Sequence, residues 1–97
     1  MPTYIVLTHF TEQGIRNVKD TTKRADALHT VAKNVGGAVK DTYWTIGRYD
    51  SVAIVEAPND EAIVTLGLTI GKQGNVRTET LRAFSKAEIE GILAKVA

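Results

Sequence analysis

The side chains best suited to chemistry in this sequence are His9, Glu56 and Arg77, which lie in three separate segments. An imidazole, a carboxylate and a guanidinium held close together could transfer a proton to or from a small acidic or carbonyl compound. We therefore take His9 and Glu56 as the candidate catalytic residues. The residues expected to bind the ligand beside them are Phe10, Ile15, Arg77 and Thr78.

Each of these residues also has a structural interpretation. Glu56 and Arg77 could form an ion pair that needs no ligand, and His9 could simply end a strand. We expect Asp50 to be structural, either accepting hydrogen bonds from backbone N–H groups at a hairpin or pairing with an arginine. Tyr49 is expected to be a core or interface aromatic, and we place Tyr49 and Asp50 at the opposite end of the sheet from His9.

Other kinds of catalytic or cofactor site lack their usual sequence signals. The 97 residues include no cysteine, which excludes disulfides, thiolate zinc sites and cysteine nucleophiles. His9 and His29 are the only imidazoles, and no short spacing of metal ligands accompanies them. Phosphate-binding loops, nucleophile elbows and dinucleotide-binding motifs are also missing. We expect neither a metal nor a cofactor.

Length and charge limit the range of partners. A chain of 97 residues with 43% hydrophobic content is expected to form one domain spanning residues 1–97. Its formal net charge is +1 and its basic residues are scattered, which argues against binding to nucleic acid or to an anionic membrane. There is no apolar run long enough to cross a bilayer and no secretory signal, so we expect a cytoplasmic protein.

Four strands are predicted, and they are of two kinds. Residues 4–7 and 52–55 are apolar throughout, as in strands covered on both faces. Residues 39–46 and 76–84 alternate polar and apolar side chains, which is typical of edge strands. A tight turn at Gly47 and Arg48 joins the second strand to the third.

Helical spacing of apolar residues predicts two helical regions between these strands. After the first strand we expect a short helix, a break, and a longer helix with Thr21 or Thr22 as its N-cap. The next helix is predicted over residues 60–72. Gly67 and Gly71 lie one turn apart in it, and we expect them to allow close packing of a neighbouring backbone.

The resulting element order, βαββαβ with a C-terminal helix started by a capping box at Ser85 and Glu88, predicts an α+β protein. A ferredoxin-like sheet in the order 4-1-3-2 places the two apolar strands at the centre. We expect the first and third strands to be parallel. Their ends would then meet beside the start of the fourth strand, which would bring His9, Glu56 and Arg77 together.

The same topology predicts a protein partner. Two helices cover only one face of a four-stranded sheet, yet both faces of the central strands carry apolar side chains, including Ile5, Leu7, Val52 and Ile54. Leaving each large side chain exposed would cost about 1.5–3 kcal/mol. A second copy of the same sheet is the simplest cover, so we expect a homodimer or a higher oligomer.

Four blocks of sequence, in order along the chain, resemble the GYD-domain family of small bacterial and archaeal proteins. These are residues 11–15 (TEQGI), 43–50 (YWTIGRYD), 55–58 (VEAP) and 74–84 (GNVRTETLRAF). One departure is Thr22, where the family often has proline. The resemblance implies a ferredoxin-like fold of the dimeric α/β barrel type and brings no settled activity. Related barrels include cofactor-free monooxygenases, isomerases and effector-binding modules.

Two functions of different classes follow. The first, which we expect, is a small-molecule site, effector-binding or catalytic without a cofactor, between the sheet and the helices of each subunit. The second is a non-catalytic homo-oligomeric scaffold or interaction module. A cavity with His9 or Glu56 pointing into it would favour the first function, whereas a solid core and an extensive interface would favour the second.

Overall fold

The computed structural model describes all 97 residues, which form four strands and four α-helices. The strands are β1 (Thr3–Phe10), β2 (Ala38–Trp44), β3 (Ser51–Glu56) and β4 (Val76–Ala83). The helices are α1 (Glu12–Arg16), α2 (Thr21–Asn34), α3 (Asp60–Gly71) and α4 (Lys86–Leu93), with a 3-10 turn at Val18–Asp20 before α2. The predicted α+β class is confirmed, and the arrangement is consistent with a ferredoxin-like fold.

Local signals in the sequence account for the helix starts. Thr11 and Asn59 each accept a hydrogen bond from a backbone N–H in the first turn of α1 and α3. At α4, Ser85 and Glu88 form the predicted capping box. The prediction for α2 was wrong by one residue, because Asp20 is the cap position and Thr21 is already helical.

The four strands form one antiparallel sheet in the order β2-β3-β1-β4. The predicted parallel pairing of the first and third strands is therefore wrong. The α1–α2 crossover returns the chain so that β2 runs parallel to β1 with β3 between them. The hairpin then reverses the chain, so β3 must run against both.

One face of the sheet packs against α2 and α3 and contains the core. Tyr4 and Val6 of β1 are buried there beside Ala53 and Val55 of β3. Ala32 of α2 and Ile63 and Leu66 of α3 cover them from the helical layer. The Tyr4 hydroxyl donates a hydrogen bond to Asp60 at the start of α3, 2.5 Å away. That bond, together with burial, raises the pKa of Tyr4.

The other face of the sheet has no helix packed on it, and we call it the open face. Because side chains alternate along a strand, it carries the residues between the buried ones. Its large apolar side chains are Ile5, Leu7, Tyr43, Val52, Ile54 and Leu81. Tyr43 and Leu81 are 59% and 50% exposed, so this apolar face is uncovered in the single chain.

Helix α4 is also without cover. None of its residues is buried, and its apolar side chains Ile89, Ile92 and Leu93 are 39%, 43% and 58% exposed. It is anchored at its start, where Glu88 lies 3.6 Å from the Arg82 guanidinium. The apolar stripe of α4 therefore has no packing partner within the protomer.

The packing expected at the two glycines of α3 is not present in the protomer. A methyl group added at Gly71 would meet no atom within 4 Å, and one at Gly67 would make only ordinary contact with Thr78. No neighbouring backbone approaches either residue. No helix of the structure has the length and apolar character needed to span a membrane.

Candidate functional site

His9 lies near the end of β1 on the open face, within a small polar cluster. Its Nε2 atom is 3.8 Å from Oε1 of Glu79, and its ring centroid is 4.8 Å from that of Tyr49. The Tyr49 hydroxyl donates to Oε2 of Glu79 at 2.9 Å, which raises the pKa of Tyr49. Arg77 is the register partner of His9 on β4. The structure thus places His9 and Arg77 side by side on neighbouring strands. The carboxylate beside His9 is that of Glu79.

Glu56 is not part of this cluster, so the predicted His9–Glu56 pair is wrong. Because β3 runs against β1, Glu56 lies opposite Thr3, six positions along the strand from His9. At about 3.3 Å per residue the two side chains are roughly 20 Å apart, too far for a shared proton. Glu56 instead lies 3.8 Å from Lys40. The alternative ion pair between Glu56 and Arg77 is wrong for the same reason.

Asp50 has the structural role expected of it. However, it lies at the same end of the sheet as His9, whereas we expected the opposite end. Its Oδ2 atom accepts a hydrogen bond from the backbone N–H of Phe10 at 2.8 Å, and its own N–H donates to the carbonyl of Thr8. The hairpin loop therefore holds the end of β1. The loop is wider than the predicted tight turn, since β2 ends at Trp44, but Gly47 has the expected positive φ of 104°.

The four predicted ligand-binding residues do not share a pocket. Phe10 lines a cavity between the sheet and α2, on the face opposite His9. Ile15 is 50% exposed on α1 and does not line that cavity. Thr78 and Arg77 border a separate groove between α3 and β4. The prediction of one pocket containing all four is wrong.

The cavity beneath α2 has a volume of about 80 Å³ and mostly apolar walls. Val6 and Ala53 of the central strands form its floor, and Leu28 and Val31 of α2 its roof. Arg24 is the only ionisable side chain among its lining residues. The cavity is therefore mainly apolar and contains no acid–base pair.

Arg24 lies on α2 one turn before Leu28, with its guanidinium against the ring of Phe10 at 5.7 Å. It donates hydrogen bonds to the carbonyls of Asn17 and Gly14, at 3.0 and 3.3 Å. No carboxylate lies within ion-pair distance of it. A guanidinium has five N–H donors, so Arg24 has donors left beyond these two hydrogen bonds. Its positive charge is not compensated by a neighbouring carboxylate.

Two residues of β2 with polar groups also line the cavity. The Oγ1 atom of Thr42 is buried and has no hydrogen-bond partner, an arrangement that costs about 1–3 kcal/mol. Trp44 also lines the cavity, and its indole N–H donates to Oγ1 of Thr21 at 3.0 Å. Thr42 is therefore the one lining residue with an unmet need for a polar partner.

Sequence reasoning missed Arg24 and Thr42. Arg24 shares the apolar stripe of α2 with Leu28 and Val31 at spacings of four and seven residues. A charged residue on a buried helix face is a signal that could have identified it. Thr42 gives no comparable signal, because an alternating edge strand contains many threonines. No group of three His, Cys, Asp or Glu side chains is placed to hold a metal ion.

Comparisons with known proteins extend across nearly the whole chain. The GYD domain profile matches residues 4–93. A Thermus thermophilus protein named "Glutamine synthetase and cystathionine beta-lyase binding protein" is 31% identical over 90 residues, covering 92% of this chain and 95% of its own length. The crystal structure of a Thermus thermophilus protein, TTHA0845, superposes with a TM-score of 0.56 at 29% identity, covering 88% of this chain and 95% of that one.

Proposed function

The chain belongs to the GYD domain family, and we propose that it is a non-catalytic binding module that forms homodimers and acts by associating with other proteins. The observation that carries the proposal is the open face. Six large apolar side chains lie on it with no cover from the protomer's own helices. Burying each one more fully is worth up to about 1.5–3 kcal/mol, which is enough to drive association.

The shape of the protomer supports a second copy as the cover of this face. The protomer is only 18 Å thick along its shortest axis, as expected for one sheet with one layer of helices. Two such protomers, placed with their open faces together, would form a four-layer dimer of the dimeric α/β barrel type with the apolar faces inside. The apolar stripe of α4 is exposed in the protomer and would be available for a further contact between subunits.

The geometry supports a binding role over acid–base catalysis. Neither His9 nor Glu56 lines the cavity, and the two lie at opposite ends of the open face. His9, Tyr49 and Glu79 form a compact polar cluster beside apolar Leu7. In a dimer joined through the open face, such a cluster would orient the two protomers.

A related protein supplies the first partners to test. The Thermus thermophilus relative is named as a binding protein of glutamine synthetase and cystathionine beta-lyase. We propose that this chain binds the corresponding enzymes of its own organism. Immobilised chain should retain purified glutamine synthetase or cystathionine beta-lyase, while an unrelated enzyme of similar charge passes through. Retention of neither enzyme would contradict this partner assignment.

Light scattering tests the dimer. Size-exclusion chromatography with light scattering should give twice the 10.5 kDa chain mass at micromolar concentration. Leu7→Lys places a charge at the centre of the open face and should give a folded monomer. Leu68→Lys is the matched control, since Leu68 is 69% exposed on α3 and away from that face. A monomeric wild-type chain, or a dimeric Leu7→Lys variant, would contradict the proposal.

A second candidate function is small-molecule binding between the sheet and the helices. The observation that favours it is the cavity, which contains an unpaired buried hydroxyl on Thr42 and an uncompensated charge on Arg24. This role is compatible with a binding module, since the cavity and the open face lie on opposite sides of the sheet.

A further inference from the structure

The cavity beneath α2 has a chemical asymmetry that narrows the ligands it can accept. Its walls are apolar at Val6, Leu28, Val31 and Ala53, and its one ionised lining residue is Arg24. No aspartate, glutamate or histidine lines it. A cationic ligand would therefore find a like charge and no counter-ion, whereas an anionic ligand would find an unpaired guanidinium.

Arg24 is positioned to receive an anion. Two of its N–H groups are fixed by the carbonyls of Asn17 and Gly14, and its ring contact with Phe10 holds the plane of the guanidinium. These neutral partners orient the side chain without cancelling its charge. A planar fork with spare donors matches a carboxylate, which can accept two parallel hydrogen bonds.

Thr42 adds an independent sign of an absent polar group. Its Oγ1 atom is buried in the cavity wall and has no partner in the protein. Buried hydroxyls are nearly always hydrogen-bonded. The Oγ1 atom exposes almost no surface, so a ligand's polar atom would pair with this hydroxyl after rotation about the Cα–Cβ bond of Thr42 turns it toward the cavity.

The size of the cavity limits the apolar part of the ligand. Its volume of about 80 Å³ is roughly half that of the engineered 150 Å³ cavity that accepts benzene. A branched tail of about three to four carbons therefore fits inside, with its head group toward Arg24.

We propose that this cavity binds a small branched aliphatic carboxylate, with its tail beneath α2, its carboxylate on Arg24 and a hydrogen bond from Thr42. The inference rests on the second candidate function, small-molecule binding between the sheet and the helices. It names the ligand class for that site and is independent of the dimerisation proposed for the open face.

The single tryptophan of the chain provides the assay, since Trp44 lines the cavity. Sodium isovalerate titrated into the intact protein should change Trp44 fluorescence saturably. The uncharged analogue 3-methyl-1-butanol has the same tail and should bind at least about 10-fold more weakly, because it lacks the charge-assisted hydrogen bonds.

Variants assign the contacts. Arg24→Gln should weaken isovalerate binding at least about 10-fold and leave the alcohol unaffected, while Arg24→Lys should keep part of the preference for the acid. Thr42→Val should weaken both ligands by about 5-fold. The control is Lys23→Gln, which removes the neighbouring charge on α2 from an exposed residue outside the cavity and should change neither affinity.

The outcomes separate two kinds of failure. Equal affinity for acid and alcohol would overturn the carboxylate assignment and leave the cavity as a small-molecule site. No saturable response to either compound would overturn both. If Arg24→Gln fails to fold by circular dichroism, the acid-to-alcohol ratio of the wild-type protein decides, because that ratio requires no variant.

Discussion

Asp50 should contribute to stability through a single well-defined contact. Its Oδ2 atom accepts from the backbone N–H of Phe10 at 2.8 Å across 40 residues of chain. Asp50→Ala removes this acceptor and leaves the Phe10 N–H, at the last position of β1, without a protein partner. The hydrogen bond from the Asp50 N–H to Thr8 survives the substitution because it uses only backbone atoms.

The size of the effect follows from the type of bond. A hydrogen bond to a charged group contributes about 1.5–3 kcal/mol to the free energy of unfolding. Because Asp50 is half-buried, water can replace part of the lost bond. We therefore expect Asp50→Ala to lower the free energy of unfolding by about 1–3 kcal/mol. For a domain of 97 residues each kcal/mol moves the melting temperature by about 4–8 °C. Thermal unfolding followed by circular dichroism should therefore show a decrease of about 4–24 °C.

Two further variants test this reasoning. Asp50→Asn keeps an oxygen acceptor without the charge, so its free energy of unfolding should lie between those of wild type and Asp50→Ala. Asp41→Ala removes an exposed carboxylate of β2 that forms no ion pair, and it should stay within about 0.5 kcal/mol of wild type. If Asp50→Ala left the melting temperature unchanged, or if Asp41→Ala lowered it equally, the proposed contribution of the Asp50–Phe10 hydrogen bond to stability would be refuted.

Three other substitutions should separate packing from capping. Gly14→Ala should destabilise the protein by about 1–3 kcal/mol in chemical denaturation, because the added Cβ would collide with the backbone carbonyl of Asn75. Gly71→Ala should stabilise it by about 0.4–1 kcal/mol, since the methyl group meets nothing within 4 Å; destabilisation would instead indicate that a partner packs there. The Ser85 N–H lowers the pKa of Glu88, so its contribution to α4 is present above the ordinary pKa of 4.5 and is lost as the pH falls. Glu88→Gln should remove this pH dependence of α4 helicity, as followed by NMR chemical shifts.

The architecture could be predicted from the sequence because each element has a local signal. The apolar runs at residues 4–7 and 52–55 correspond to β1 and β3, and the capping box at Ser85 and Glu88 starts α4 as expected. The ends of β2 were predicted less accurately, as residues 39 and 46 instead of Ala38 and Trp44. Thr45 bonds across the hairpin loop to Asp50 rather than extending the strand, and an alternating edge strand has no marker for that point.

The predicted catalytic pair was wrong because it depended on strand direction, which no single segment encodes. A parallel β1 and β3 would have placed Glu56 beside His9, whereas the observed register places it beside Thr3. Arg24 and Thr42 were missed for a related reason. A cavity is a property of the space between two elements, and neither α2 nor β2 alone shows that the space is empty.

The alternation of side chains along β1 makes the two proposed binding surfaces separable by mutation. Leu7 lies on the open face and Thr8 lines the cavity, although the two are adjacent in sequence. A change at Leu7 should therefore affect association and leave the isovalerate response of Trp44 intact, whereas Thr42→Val should do the reverse. If one substitution altered both, ligand and partner would be coupled through the central strand. The sheet would then connect the two surfaces instead of merely separating them, and association would depend on the ligand by the same factor as ligand binding depends on association.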